Sequence, residues 1–169
     1  MKKIAMLIEN LYDEKEFIFP YYRLLEEGYQ VDVLGSKANT TYKGKHGLPF
    51  QSDLATSEAE ASDYDALVIP GGFSPDYMRR VEATKNFTKD MDKQGKIIAA
   101  ICHAPWLLIS SLDISKHTLT GYHSLKIDIE NAKAKYVDKE VVVSQNIITS
   151  RNPNDLPIYV KTIIKTLEG

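Results

Sequence analysis

The chain has a single cysteine, Cys102, in the run Ile97-Ile98-Ala99-Ala100-Ile101-Cys102-His103-Ala104-Pro105-Trp106-Leu107-Leu108. The run reads as an apolar strand, an abrupt turn and the start of a helix. A side chain at such a corner stands at the carboxyl edge of a sheet. There it faces solvent and the partial positive charge of a helix N-terminus, which favours a thiolate. The pattern small-x-nucleophile-x-small, here Ala100-Ile101-Cys102-His103-Ala104, is a sulfur counterpart of the nucleophile elbow, whose tight turn excludes large neighbours two positions away. The same residues also fit a buried structural cysteine that closes a core strand, because free cysteine often behaves as a small hydrophobe. The local sequence leaves both readings open.

A cysteine nucleophile needs an activating base or carboxyl group and donors for a developing oxyanion. Gly71 and Gly72 follow the apolar run Ala66-Leu67-Val68-Ile69, so their amides can approach a substrate oxygen without a Cβ in the way. The alternative is that Pro70-Gly71-Gly72 is simply a tight turn. His103 adjoins Cys102, and neighbouring residues on a helix do not face each other. It serves as a base only if its ring folds back and another group orients it. Glu16, near the start of the first helix, can bring a carboxyl group to the same sheet edge; by type alone it is one more helix-surface acid. His46, His117 and His123 have no metal-site spacing and read as structural or surface residues.

The elements that must carry these groups alternate between short apolar runs and longer segments of helical period, the pattern of an α/β sheet with helices on its faces. Strands are expected over 3–8, 30–34, 66–69 and 97–102. Helices are expected over 13–27, ended by Gly28 and kinked or broken at Pro20, over 76–93, around 124–134, and over 153–167. An irregular hairpin is expected within 40–50, and two strands, 139–144 and 146–150, as a second hairpin. No repeat or linker interrupts the pattern, so residues 1–169 read as one domain.

Bulk properties narrow the function classes. A net charge of −2 with 43% hydrophobic residues gives no reason to expect a nucleic-acid or membrane partner. Lys43-Gly44-Lys45-His46 and Arg79-Arg80 read as solvated basic spots. One cysteine forms no intramolecular disulfide, and the apolar run after Met1-Lys2-Lys3 is too short for a signal peptide or membrane span. A cytoplasmic protein is expected.

Beyond these readings, Ala99-Ala100-Ile101-Cys102-His103-Ala104-Pro105 resembles the cysteine elbow of the PfpI/ThiJ family, a branch of the class I glutamine amidotransferase-like folds. Glu16-Phe17-Ile18-Phe19-Pro20, Gly44-Lys45-His46-Gly47, Asp65-Ala66-Leu67-Val68-Ile69-Pro70-Gly71-Gly72 and Thr149-Ser150-Arg151 are similar to other family segments in the same order. The likeness runs over nearly the whole chain and is greatest to short intracellular protease-like and general-stress members. It implies a flavodoxin-like three-layer sandwich with a mainly parallel central sheet. It also implies that Cys102 is the nucleophile in a strained backbone conformation, that Glu16 sets a carboxyl group against the sulfur, and that the amides of Gly72 and His103 bind the oxyanion. In protease-like members an acid from a neighbouring subunit orients the histidine; the matching position is Asp76, so a homodimer or higher homo-oligomer would complete a triad with Asp76 of the partner subunit. Three residues depart from the pattern: Ala104 replaces a glycine, Trp106 a smaller or polar residue, and Asp76 a longer glutamate.

The resemblance implies a cysteine-dependent hydrolase acting on a peptide or small-molecule substrate, through amide bonds or reactive aldehydes such as methylglyoxal and their adducts, with neither cofactor nor metal. A redox sensor that uses Cys102 as an oxidisable thiol and a stress-response chaperone are the alternatives from other classes.

Overall fold

A computed structural model describes residues 1–169. Its core is a seven-stranded sheet in the order β10-β11-β7-β6-β1-β2-β5. The strands are β1 (Lys3–Leu7), β2 (Gln30–Gly35), β5 (Leu54–Ala55), β6 (Ala66–Ile69), β7 (Ile97–Ile101), β10 (Val142–Ser144) and β11 (Ile147–Ser150). Every pairing is parallel except β10 with β11. Two small ribbons stand apart from it: antiparallel β3 (Thr41–Lys43) with β4 (Pro49–Gln51), the hairpin expected within 40–50, and parallel β8 (Thr118–Leu119) with β9 (Lys135–Tyr136).

The central strands are apolar on both faces because helices cover both. Alternate residues enter opposite layers. Ala5, Leu7, Leu67, Ile69, Ile98 and Ala100 pack with Phe87 and Met91 of α3 (Glu82–Lys93), Leu107 of α4 (Pro105–Ser111) and Ile129 of α5 (Lys126–Asn131). Ile4, Met6, Val68, Ala99 and Ile101 pack with Phe17 and Leu24 of α1 (Glu14–Glu26) and Val160 and Ile163 of α6 (Leu156–Glu168). This is the expected three-layer α/β sandwich. No helix is long and apolar enough to cross a membrane.

Several local expectations need correction. Helix α1 runs unbroken through Pro20; proline there withholds only the amide that would bond the carbonyl of Glu16, and its ring is buried with the helix's apolar face. The helix expected over 76–93 is two, α2 (Ser74–Met78) and α3, because Val81 takes an extended conformation (φ −97°, ψ 114°) before Glu82. The element around 124–134 is a 3₁₀ turn at His123–Leu125 followed by the short α5.

Successive strands are laid to opposite sides of β1: β2 lies on one side, and β6, β7 and β11 on the other. The β1/β6 boundary is therefore the topological switch point, beyond whose carboxyl ends open α/β sheets bind ligands. Asp13, Gly71, Gly72, Cys102 and Ser150 all lie at or just past carboxyl ends of these central strands.

Candidate active site

Cys102 is the residue after β7, and its backbone is left-handed (φ +62°), a conformation that costs a non-glycine residue about 1–2 kcal/mol. Both of its backbone groups are held in place. Its N–H donates to the Ser150 carbonyl at 3.0 Å, and its carbonyl accepts the Tyr122 amide at 2.8 Å. Gly121 permits that second contact, since a Cβ there would stand 3.1 Å from the Cys102 carbonyl oxygen. Two remote segments thus hold the elbow in its strained form.

Glu16 reaches the elbow because Asp13 starts α1 beneath it. The Asp13 carboxylate caps the helix, accepting from the amides of Lys15 at 3.0 Å and Glu16 at 3.2 Å. Glu16 is fully buried rather than a surface acid. Its Oε1 accepts the Gly71 amide at 3.0 Å, while Oε2 has no hydrogen-bond partner. The carboxyl group lies against the Cys102 thiol, close enough for each to alter the other's ionisation.

This arrangement corrects the expected role of Gly71. Its amide is committed to Glu16 and does not face a substrate. A Cβ at Gly71 would stand 2.5 Å from Glu16 Oε1 and 2.9 Å from Cys102 Cβ, so the residue is a spacer that lets carboxyl and thiol approach. Gly72 is different. It has φ +71° and pairs with Tyr12 in an isolated bridge whose hydrogen bonds run through Phe73 and Asp13. Its own amide has no acceptor within the chain, and the His103 amide points at the Cys102 sulfur.

The expected thiolate also needs correction. Cys102 is only 8% exposed, and burial first, then the nearby Glu16 carboxylate, push its thiol up. The short helix α4 offers too little to reverse this: a helix terminus supplies about 0.3–1 kcal/mol, less than one pH unit, whereas full burial can move a group by about 3–5. Glu16 is itself pushed up to about 8, by burial and then by the Asp13 charge. At neutral pH it therefore holds its proton, and its opposition to an anionic sulfur is removed.

His103 folds back, placing Nδ1 3.3 Å from Cys102 Sγ. Burial and then the Lys45 charge lower its pKa below 6.5, so the imidazole beside the thiol is neutral at pH 7. The resting pair is thus a thiol with a base in contact, not a preformed thiolate. Asp76 is placed elsewhere: in α2 its carboxylate is held by the Arg80 guanidinium and makes no hydrogen bond to His103 of the same chain.

Asp13, Gly72, Cys102 and His103 line a cleft of about 480 Å³ with Leu11, Lys15, Phe73, Trp106 and Tyr122 on its walls. A larger apolar groove of about 780 Å³ between α1 and α6 contains no nucleophile, so size does not locate the chemistry. Sequence reasoning missed Lys45, Asp13 and Tyr122. The basic run around Lys45 is not simply solvated: Lys45 Nζ reaches into the cleft and pairs with Asp13 at 2.6 Å. Its loop is fastened to α1 by the His46 amide, which donates to Glu14 Oε1 at 2.6 Å. The available signal was the acidic pair Asp13-Glu14 opposite that basic run, but nothing local shows that the two segments meet.

Comparisons with known proteins bear on the family and the fold. A model of the DJ-1/PfpI family matches residues 2–166. YraA of Bacillus subtilis, provisionally named a cysteine protease, is 41% identical over 167 residues covering 99% of each chain. A two-domain protein from Anabaena variabilis, with DJ-1/ThiJ/PfpI-like and ferritin-like domains, superimposes with a TM-score of 0.97 at 45% identity, over 99% of this chain and 48% of that one. Drosophila melanogaster DJ-1beta superimposes with a TM-score of 0.90 at 29% identity, over 98% and 90% of the two chains.

Proposed function

Because the chain belongs to the DJ-1/PfpI family, we propose that it is a cysteine-dependent hydrolase-like enzyme in which Cys102 attacks an electrophilic carbonyl. The observation that carries this reading is the contact between Cys102 Sγ and a neutral His103 ring in an open cleft, beside two amides without protein carbonyl acceptors. The thiol proton passes to His103 Nδ1 as the sulfur–carbon bond forms and the carbonyl pair moves onto oxygen. The amides of Gly72 and His103 receive that oxyanion. Collapse expels the leaving amine, which takes the proton from Nδ1, and leaves a thioester. Water, giving its proton to the same nitrogen, then releases the acid and restores the thiol. Peptide and amide bonds, and amide-type adducts of reactive aldehydes, fit this full cycle; a free aldehyde such as methylglyoxal has no leaving amine and shares only the first step, the oxyanion taking the proton from Nδ1 to give a hemithioacetal.

A second reading has its own support. A protonated Glu16, the His103 amide aimed at the sulfur and the unpaired Gly72 amide in the same cleft would stabilise a sulfinic acid formed by two successive peroxide oxidations, each releasing water. Wild type and Cys102→Ser are incubated with methylglyoxal, a panel of small peptide amides, and dilute peroxide, and product and protein mass are followed. Turnover by wild type that disappears in Cys102→Ser is the expected result. Turnover retained in the variant overturns the mechanism, and stoichiometric oxidation without turnover of any substrate favours the sensor.

A further inference from the structure

Cys102 and His103 lie in the turn between β7 and α4, where no regular secondary structure fixes the ring of one over the sulfur of the other, so a ring folded back onto the preceding sulfur must be held there. No carboxylate of the chain hydrogen-bonds the His103 ring, and its one hydrogen-bonding contact is Cys102 Sγ at 3.3 Å. Aromatic rings hold it instead. Tyr122 stacks on His103 with centroids 4.8 Å apart and planes at 27°, and Trp106 meets it edge-on at 4.9 Å and 65°.

Each clamp ring is itself fastened. The Tyr122 amide donates to the Cys102 carbonyl at 2.8 Å, and the Tyr122 carbonyl accepts from Leu125 at 2.8 Å. Trp106 stands in the first turn of α4, its amide donating to the His103 carbonyl at 3.1 Å. Its indole N–H donates to Asp128 Oδ2 at 3.3 Å, and Phe73 and the Arg79 guanidinium also pack against it, at 6.3 and 5.9 Å. Such aromatic contacts are directional enough to select one ring orientation among several.

We propose that Tyr122, Trp106 and Asp128 are positioning residues that hold His103 over the Cys102 sulfur within one chain, so that the pair needs no acid from a partner subunit. The inference rests on the hydrolase reading for its purpose. With Nδ1 on the thiol, the neutral ring carries its proton on Nε2. The clamp thus does the orienting that an acid does in a triad, and Asp76 of the same chain, held by Arg80, takes no part in it.

The test uses thiol alkylation, which needs no substrate and so can fail independently of the turnover experiment. Iodoacetamide rates are measured against pH for wild type, His103→Ala, Trp106→Leu, Tyr122→Leu, Asp128→Asn and each Leu variant combined with His103→Ala, alongside ¹⁵N spectra of the histidine ring. Because a positioned base contributes about 10²–10⁴-fold, each Leu variant should lose about tenfold in rate at pH 7, with Asp128→Asn losing less. Trp106→Phe and Tyr122→Phe should keep most of the rate. In the His103→Ala background the Leu substitutions should add nothing, and the wild-type ring should show the Nε2–H form. If a Leu variant does not fold, Asp128→Asn and the two Phe variants still decide the matter, through the ring spectrum and the position of the acid limb. Wild-type behaviour in both Leu variants, losses that add to His103→Ala, or a loss in Asp76→Asn equal to that of His103→Ala would each overturn the proposal.

Discussion

Glu16→Gln removes a titratable proton site and almost nothing else. The glutamine oxygen can still accept the Gly71 amide, as Oε1 does at 3.0 Å, and the shape is conserved. In the native protein the carboxyl is raised from 4.5 to about 8 by burial and by Asp13. At about 1.4 kcal/mol per pH unit, ionising Glu16 in the fold is about 5 kcal/mol costlier than in the unfolded chain. The folded state therefore binds more protons than the unfolded state between these two values. Wild-type stability must fall as pH rises through that window, with no contribution below it and no further loss above it. Relative to Glu16→Gln, wild type should lose about 3 kcal/mol between pH 4.5 and pH 7, and nearly all of the rest by about pH 8.5. Urea unfolding of both proteins at pH 4.5, 5.5, 7 and 8.5 measures the difference, in which titrating groups that do not interact with Glu16 cancel. A pH-independent gap would show that Glu16 is ionised in the fold, and the account of a proton-bearing neighbour to Cys102 would be wrong.

Gly71→Ala forces a Cβ to within 2.5 Å of Glu16 Oε1 and 2.9 Å of Cys102 Cβ; thermal melts should show a loss of about 1–3 kcal/mol, with altered alkylation of the thiol. Lys45→Met removes a charge that helps lower His103, so the acid limb of the alkylation profile should move to higher pH, while Lys45→Arg leaves it near the wild-type position; an unmoved limb in the Met variant contradicts the placement of Lys45. Asp155 is nearly buried and accepts from the Arg151 amide at 3.0 Å and from its Nε at 2.9 Å. Asp155→Ala should cost about 3 kcal/mol in denaturant unfolding, and a change within error would mean the pair is dispensable.

The sheet was legible because its central strands are short apolar runs separated by helical periods, a signal that each segment carries locally. Cys102 and Gly72 were legible for a related reason: a left-handed turn after an apolar strand leaves a mark in the types of its own residues. What could not be read were meetings between segments. Nothing in the sequence near Gly71 says that its amide is taken by a carboxyl 55 residues earlier. Likewise nothing near Lys45 says that it faces Asp13. By type alone Glu16 read as a surface acid, because helix periodicity does not tell which end of the helix dips into the sheet edge; the family resemblance is what set it against the sulfur. The break between α2 and α3 passed unseen because neither glycine nor proline marks it.

Cys102 is held at its amide by Ser150 and at its carbonyl by Tyr122, both later in the chain. During synthesis the residues up to the elbow emerge well before either anchor is available. A nascent or C-terminally truncated polypeptide therefore exposes an ordinary, unconstrained sulfhydryl, and the tuned one matures only when the last strand docks. Reactivity in this architecture is a late event, delayed until the final strand of the sheet is in place.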